Sequence, residues 1–358
     1  MKRFKHALVI GKFAPLHLGH EHLIQTALDQ AEQVSVWCYA NPEFVGMPPS
    51  IRRKWIQKRF PGAQLLLPLT TPPPDSAPDA DHQQYVRQEL SLQDLLGESL
   101  YVPEQGEDQP IDCVFTSEDY GPGLARTLST AEHPVTHINV DKDRLAFPIS
   151  GTRIRENVHE HRQFLSPEVY EHFVERISIL GAESTGKSTL AQALAHKLET
   201  AWIHEYGAEY YLEHQGGMHQ SDFTVVARRH RELEDQAIRE RRVNRYLVND
   251  TDARTTQMFS FMMTGEAEND LIQLAHEASR RYRHVFVCDN NVPFSSDHWR
   301  ASQDVQSVHQ RLILSDLATR NVDYTLVSGS VEERVSQILS TLQSRPGIDT
   351  SRARVRST

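Results

Sequence analysis

Two segments of this 358-residue chain set glycines among cationic or imidazole side chains directly after apolar runs: GKFAPLHLGH from Gly11 to His20, and GAESTGKST from Gly181 to Thr189. The second follows G-x-x-x-x-G-K-[ST], in which backbone N–H groups cradle phosphates, the lysine reaches the terminal ones and the hydroxyl meets Mg2+. Lys187 is then the phosphate-neutralising residue and Ser188 the Mg2+ ligand, with Gly181, Ser184, Thr185, Gly186 and Thr189 completing the cradle. In the first segment a strand ends at Gly11, Phe13 and Pro15 shape a tight turn, and His17 and His20 share a face near a helix start. With the helix N-terminus adding positive potential, two imidazoles there can donate hydrogen bonds to a phosphate on which charge builds during displacement. No covalent intermediate is needed.

Two further clusters fit this chemistry. ISGTRIR gathers Ser150, Thr152, Arg153 and Arg155 after a proline, where hydroxyls and guanidinium groups can hold triphosphate oxygens, although such clusters also cap helices. RYLVNDTDA delivers Asp250 and Asp252 to the carboxyl end of a strand, where a spacing of two puts both on one face; turn chemistry and capping would also use that pattern.

The elements that must position these residues alternate along the chain. HALVIGKF, an apolar-periodic stretch from His20 to Ala31, and QVSVWCYA read as strand, helix and strand; SIRRKWIQKRF reads as a helix and QLLLPL as a strand. The proline-rich LTTPPPDSAPDADH reads as an irregular loop before a helix through Tyr85 to Leu95, and IDCVFTSED and PVTHINVD complete the strand set. In the second half RISILGAESTGKSTLAQALAHKL runs strand, glycine loop, helix; AWIHEYG, a helix in FTVVARRHRELEDQAIRERR, RYLVNDTDA, a long helical region to Tyr282, HVFVCDN and DYTLVSG follow. Such alternation predicts parallel sheets covered on both faces, with ligands beyond the carboxyl ends of the strands. Two domains are expected, residues 1–168 and 169–345, with a boundary between Phe164 and Glu175 and a disordered tail over 346–358.

Composition narrows the partners. A formal net charge of −10 argues against nonspecific binding to nucleic acid or anionic membrane, so any basic site must be local. Cys38, Cys113 and Cys288 lie far apart in apolar runs without metal-ligand spacing, which predicts buried free thiols and a reducing cytoplasm. No leader cleavage site or membrane-length apolar stretch is present in the sequence.

GKFAPLHLGH followed by ISGTRIR resembles the HxGH nucleotidylyltransferase superfamily, and with VFTSEDYG and GAESTGKST on the same chain the sequence resembles NadR-type bifunctional enzymes over nearly its whole length. The resemblance implies two doubly wound parallel-sheet α/β domains, an HxGH nucleotidylyltransferase Rossmann-like domain followed by a P-loop kinase domain. It implies that the second domain phosphorylates nicotinamide riboside and the first joins nicotinamide mononucleotide to ATP, giving NAD and pyrophosphate, with ATP and Mg2+ as cofactors. Carried over by motif, Lys12, His17 and His20 steady the α-phosphate, with Gly11 and Phe13 shaping the loop. Ser150, Thr152 and Arg155 grip the departing phosphates. Lys187 neutralises the β- and γ-phosphates, and Asp250 and Asp252 divide Mg2+ binding, partly through water, from handling of the ribose 5′-hydroxyl. Glu205, Tyr206 and Arg300 fall at riboside-contacting positions, while Ala208 and His230 stand where the family carries arginine and glutamine. Trp55 or Trp37 would stack on nicotinamide unless it only fills core volume, and Arg311 would reach phosphates from a lid unless it is a solvated helix residue. No nucleic acid or membrane partner is implied, self-association is left open, and with no helix-turn-helix before the first strand, repression is not expected. Two alternatives fit part of the pattern: a bifunctional coenzyme A synthase-like adenylyltransferase and kinase, or a nucleotide-sensing regulatory protein.

Overall fold

Aliphatic residues fully withdrawn from water, among them Ala7, Leu8 and Val9, make the first strand a continuous apolar run, as a strand buried on both faces requires. The computed structural model describes residues 2–96, 110–290, 303–344 and 353–354. Two units emerge, Met1–His172 joined by the pair Ala353–Arg354, and Phe173–Pro346.

The first unit runs β1 (Phe4–Gly11), α1 (Leu18–Gln30), β2 (Ala31–Cys38), β3 (Glu43–Phe44), α2 (Pro49–Arg59), β4 (Gln64–Leu66) and α3 (Asp79–Leu96). It continues with β5 (Cys113–Thr116), α4 (Gly121–Leu128), β6 (Thr136–Asn139), α5 (Gly151–Glu156) and the single turn α6 (Pro167–Tyr170). Its sheet has the order β4-β2-β1-β5-β6 with every pairing parallel. The helix expected from Tyr85 begins at Asp79 instead: Asp79 and Asp81 sit in its first turn, where the macrodipole favours them, and Tyr85 and Val86 are only where its buried face begins.

The second unit runs β7 (Glu175–Leu180), α7 (Lys187–Lys197), β8 (Trp202–Ile203), α8 (Tyr206–Glu213), α9 (Gln220–Arg239), β9 (Tyr246–Asp250) and α10 (Ala253–Thr264). After these come α11 (Asn269–Arg281), β10 (His284–Cys288), α12 (Gln303–Thr319), β11 (Thr325–Val327) and α13 (Val331–Ser344). Its parallel sheet has the order β11-β10-β7-β9-β8. The long helical region expected before Tyr282 is two helices, because Gly265 takes a φ of 81° and returns its N–H to the Phe261 carbonyl, closing α10. Of the segment after Ser344, Ala353 and Arg354 form β12, which pairs antiparallel with β3. All three cysteines are free and buried, and among the described residues no helix is long and apolar enough to cross a membrane.

Each sheet reverses its winding beside its first strand. β1 lies between β2 and β5, and β7 between β10 and β9, so the connections leave on opposite faces and open a crevice beyond the carboxyl end of that strand.

Buried charge ties the second unit together at the other end of its sheet. Glu234 on α9 is fully buried and accepts from Arg176 Nε at 3.1 Å, Arg281 Nε at 2.9 Å and the Tyr282 hydroxyl at 2.5 Å. Glu175 accepts from Arg245 Nε at 2.8 Å and lies 2.7 Å from His284 Nε2. Burial pushes both carboxyls up, but the His230 bond and the arginine charges around Glu234, and the His284 and Arg245 bonds to Glu175, outweigh it and hold each at about 2. Carboxylates depressed in this way stabilise the fold above their ordinary value and lose that contribution as pH falls through the folded value. The second unit is therefore expected to unfold progressively between pH 4.5 and about 2, seen by circular dichroism. Glu234→Ala, which takes the buried carboxylate from Arg176 and Arg281 and leaves them only the half-exposed Asp235, is expected to cost about 3 kcal/mol in denaturant unfolding.

Candidate active sites

Where β1 ends, the chain turns sharply into α1. Phe13 holds a left-handed φ of 48°, and a Cβ on Gly11 would come within 2.9 Å of the Phe13 ring, so only glycine fits beneath it. His17 caps α1, its Nδ1 accepting from the His20 amide at 3.4 Å, and the two imidazoles stack with centroids 3.7 Å apart and planes 24° apart. Burial, together with the neighbouring charges of Arg144 and Arg155, keeps both rings neutral: His17 falls well below its ordinary value and His20 to about 4. His20 bonds to the Pro15 carbonyl and leaves Nδ1 buried without a partner.

The turn opens on a cavity of about 650 Å3 that gathers Gly11, Lys12, Phe13, His17, His20, Ser150, Thr152 and Arg155. Ser150 caps α5, accepting from the Arg153 amide at 3.2 Å, and Arg155 donates to the Ala14 carbonyl at 2.6 Å and to Thr152 Oγ1 at 2.9 Å. The two motifs, far apart in sequence, are thus stitched together by one guanidinium, which also lies 4.3 Å over the Phe44 ring. Lys12 is paired with Asp75 from the proline-rich loop, and Asp75 lines the same cavity. Ser117 and Glu118 line it from the end of β5, and the Tyr120 hydroxyl donates to the Ile10 carbonyl at 3.0 Å. Neither tryptophan lines it: Trp37 is fully buried against Tyr85, and Trp55 packs edge-on to His172.

Motif reading missed Arg52. This wholly buried residue of α2 donates to the carbonyls of Lys12 at 2.6 Å, Tyr39 at 2.8 Å, Met47 at 3.0 Å and Ala40 at 3.2 Å. It holds the loops leaving β1 and β2, and nothing in RRKWIQKRF distinguishes it from the neighbouring basic residues.

In the second unit the loop after β7 adopts the conformation its pattern requires. Gly181 has a φ of 148°, Ser184 of 61° and Gly186 of 82°, the last delivering the chain into α7. Lys187 Nζ rests on the Ala182 carbonyl at 3.1 Å, the Thr185 hydroxyl bonds that same oxygen at 2.8 Å, and Ser188 and Thr189 are exposed on the first turn of α7. Residues from the end of the chain fasten the loop: Arg334 donates to the Thr185 carbonyl at 2.7 Å, Gln306 to that of Glu183 at 2.8 Å, and Gln310 accepts from the Ala182 amide at 2.9 Å.

The expectation that Asp250 and Asp252 share a face rested on strand geometry, which ends at Asp250 because Thr251 takes a φ of 70°. Asp252 instead caps α10, its carboxylate held by Ser178 Oγ at 2.6 Å, the Arg254 amide at 2.9 Å and the Arg254 guanidinium at 2.5 Å. Asp250, 1 % exposed, bonds Ser188 and keeps Oδ1 without a partner; burial raises its carboxyl pKa against the pull of Lys187. Glu205, at the N-cap of α8, and His230 both act electrostatically on Asp250. His230 is buried, with Nδ1 3.6 Å from Glu234 and Nε2 without a partner. Tyr206 opens α8 with its ring 6.1 Å from Tyr210. Arg311 donates to the Ser307 carbonyl of its own helix, and Arg300 lies outside the described residues.

Arg52→Met should leave four carbonyls without their donor and cost on the order of 3 kcal/mol in denaturant unfolding of the first unit. It should also weaken any ligand of the cavity, because the loop carrying Lys12 loses its support.

Comparison with known proteins supports this architecture. A family model described as an AAA domain matches residues 176–334. The "Trifunctional NAD biosynthesis/regulator protein NadR" of Escherichia coli (strain K12) is 28% identical over 342 residues, spanning 89% of this chain and 78% of that protein. The protein of the same name from Salmonella typhimurium is 29% identical over the same shares. Crystal structures of a NadR protein in complex with NAD and AMP-PNP, and in complex with NR, superpose with TM-scores of 0.61 and 0.62 at 16% identity, covering 100% of this chain and 99% of theirs; they share its fold. Since the sequence match runs through both units, the chain is a homologue of the NadR proteins.

Proposed function

We propose that the chain makes NAD in two steps, phosphorylating nicotinamide riboside in the second unit and adenylylating the resulting mononucleotide in the first. The observation that carries this reading is that one chain sets two unlike glycine-containing loops, each at the switch point of its own parallel sheet, in a homologue of proteins named for NAD biosynthesis. Residues 1–168 serve the adenylyl transfer and 169–345 the kinase step, in the cytoplasm, where three buried unpaired thiols suit a reducing environment.

In the first unit the phosphate oxygen of nicotinamide mononucleotide attacks the α-phosphorus of ATP, the bond to the β-phosphate breaks and pyrophosphate leaves. His17, His20 and Lys12 stabilise charge at the α-phosphate, and Ser150, Thr152 and Arg155 hold the departing pair; the work is positioning and electrostatics. For Lys12 to reach a phosphate its pairing with Asp75 must open. In the second unit the riboside 5′-hydroxyl oxygen attacks the γ-phosphorus, the bond from that phosphorus to the bridging oxygen breaks, ADP leaves and the hydroxyl proton is released to solvent, with Lys187 on the β- and γ-phosphates. A buried carboxylate oxygen without a partner beside a serine hydroxyl is a donor set that suits a hard cation, so Ser188 and Asp250 would hold Mg2+, which would neutralise phosphate charge. Asp252, already saturated by Arg254 and Ser178, anchors α10. Glu205, Tyr206 and the open nitrogen of His230 face the riboside.

Mass spectrometry of the chain incubated with ATP, Mg2+ and nicotinamide riboside should show NAD. Lys187→Ala should abolish riboside phosphorylation but leave adenylylation of supplied mononucleotide, and His20→Ala should do the reverse; one substitution removing both activities from a folded chain sinks the two-site reading. The neutral His20 ring must gain a proton at Nδ1 to donate to phosphate. Calorimetry near pH 6 in buffers of different ionisation heat should therefore show proton uptake when Mg·ATP enters the first unit, lost in His20→Ala.

A further inference from the structure

Helix α12 lays one face on the glycine loop of the second unit. Gln306 and Gln310, one turn apart, bond Glu183 and Ala182, and Gln310 also donates to the Cys288 carbonyl at 2.9 Å. His309 lies between them on that face, 4 % exposed, its ring meeting Phe259 edge-on at 5.6 Å. Neither ring nitrogen has a hydrogen-bond partner. The charges of Glu183 and Lys187 both act on the imidazole, and Lys187 Nζ rests on the carbonyl of Ala182, the residue from whose amide Gln310 accepts.

A neutral imidazole always carries one donor and one acceptor. Burying either without a partner is unfavourable, so two orphan nitrogens on one buried ring call for an explanation. Packing offers none, since an apolar side chain of equal size would fill the space beside Phe259 without that cost. The glutamines on either side already use the loop's backbone groups, and the neighbouring ammonium is of the kind that meets terminal phosphates.

We propose that His309 is a direct contact of the terminal phosphate of the nucleoside triphosphate in the second unit, donating from a ring nitrogen to a γ-phosphate oxygen beside Lys187. This rests on the nucleotide reading of the glycine loop given above. The contact is non-covalent: no bond forms to the imidazole, and the donor gains strength as charge spreads over the oxygens of the transferring group. It gives the site a means of telling a triphosphate from a diphosphate through a side chain outside the loop itself.

The test is titration calorimetry of the full chain with Mg·ADP and with Mg·AMP-PNP, the second-unit signal being the part that Lys187→Ala removes. His309→Leu should weaken AMP-PNP about tenfold while ADP stays within about twofold, and His309→Gln, which restores a donor, should recover part of the loss. Equal weakening of both nucleotides would show that His309 only supports the loop, and no change in either would show that it touches no phosphate; each overturns the proposal. If Lys187→Ala removes no binding of either nucleotide in a chain that still folds, the nucleotide reading of the loop fails and this proposal falls with it. Selective loss of AMP-PNP separates the two.

Discussion

A parallel strand at the centre of a sheet must hand its chain to a helix within a few residues, and the carbonyls it leaves behind there have no ladder partner. Both units meet this constraint in the same way, by sending side chains, most of them from elsewhere in the chain, to those carbonyls. In the first, Arg52 takes the carbonyls of Lys12, Tyr39, Met47 and Ala40, Arg155 takes that of Ala14 and Tyr120 that of Ile10. In the second, Lys187, Gln306 and Arg334 take the carbonyls of Ala182, Glu183 and Thr185. With these carbonyls occupied, they do not compete for the helix N-termini that open just beyond each loop, the feature an anion site uses.

Electrostatics then act locally against the charge of the whole. A chain of net charge −10 presents cations at two points only because each is fixed by burial or by an acid of its own. Lys12 is held by Asp75, Arg155 by a carbonyl and an aromatic face, and the paired imidazoles are neutral through burial. Such groups respond strongly to an arriving polyanion, since a phosphate supplies the opposite charge that burial has withheld. The ion cluster around Glu234 and Glu175 is of a different kind, already saturated by its own arginines.

Backbone strain follows the same geography. Among non-glycine residues with left-handed φ, Glu199, Gln215, Arg241 and Asn321 stand just past helix ends, where this conformation is ordinary. Phe13, Ser184 and Thr251 instead sit in the turns after β1, β7 and β9, beside His17, Lys187 and Asp250. For a bulky or β-branched residue the conformation costs on the order of 1–3 kcal/mol, and it persists where surrounding packing imposes it.

By itself the sequence determined the two strand–loop–helix openings, the alternation that makes both sheets parallel, and the buried thiols. Those features are encoded within a few residues, in hydrophobic period and in glycine, proline and cap chemistry, and so are readable locally. The start of α3 and the break at Gly265 were missed because periodicity marks a buried face rather than a helix end. Only the tertiary structure decided that Arg52 among several basic residues is the buried one, that Gln306, Gln310 and Arg334 fasten a loop more than a hundred residues earlier, and that Asp250 keeps an open oxygen while Asp252 does not. The physical reason is that each depends on which side chain another part of the chain brings within bonding distance, and for Asp252 on one backbone angle at Thr251, neither of which has a signature in residue type or spacing.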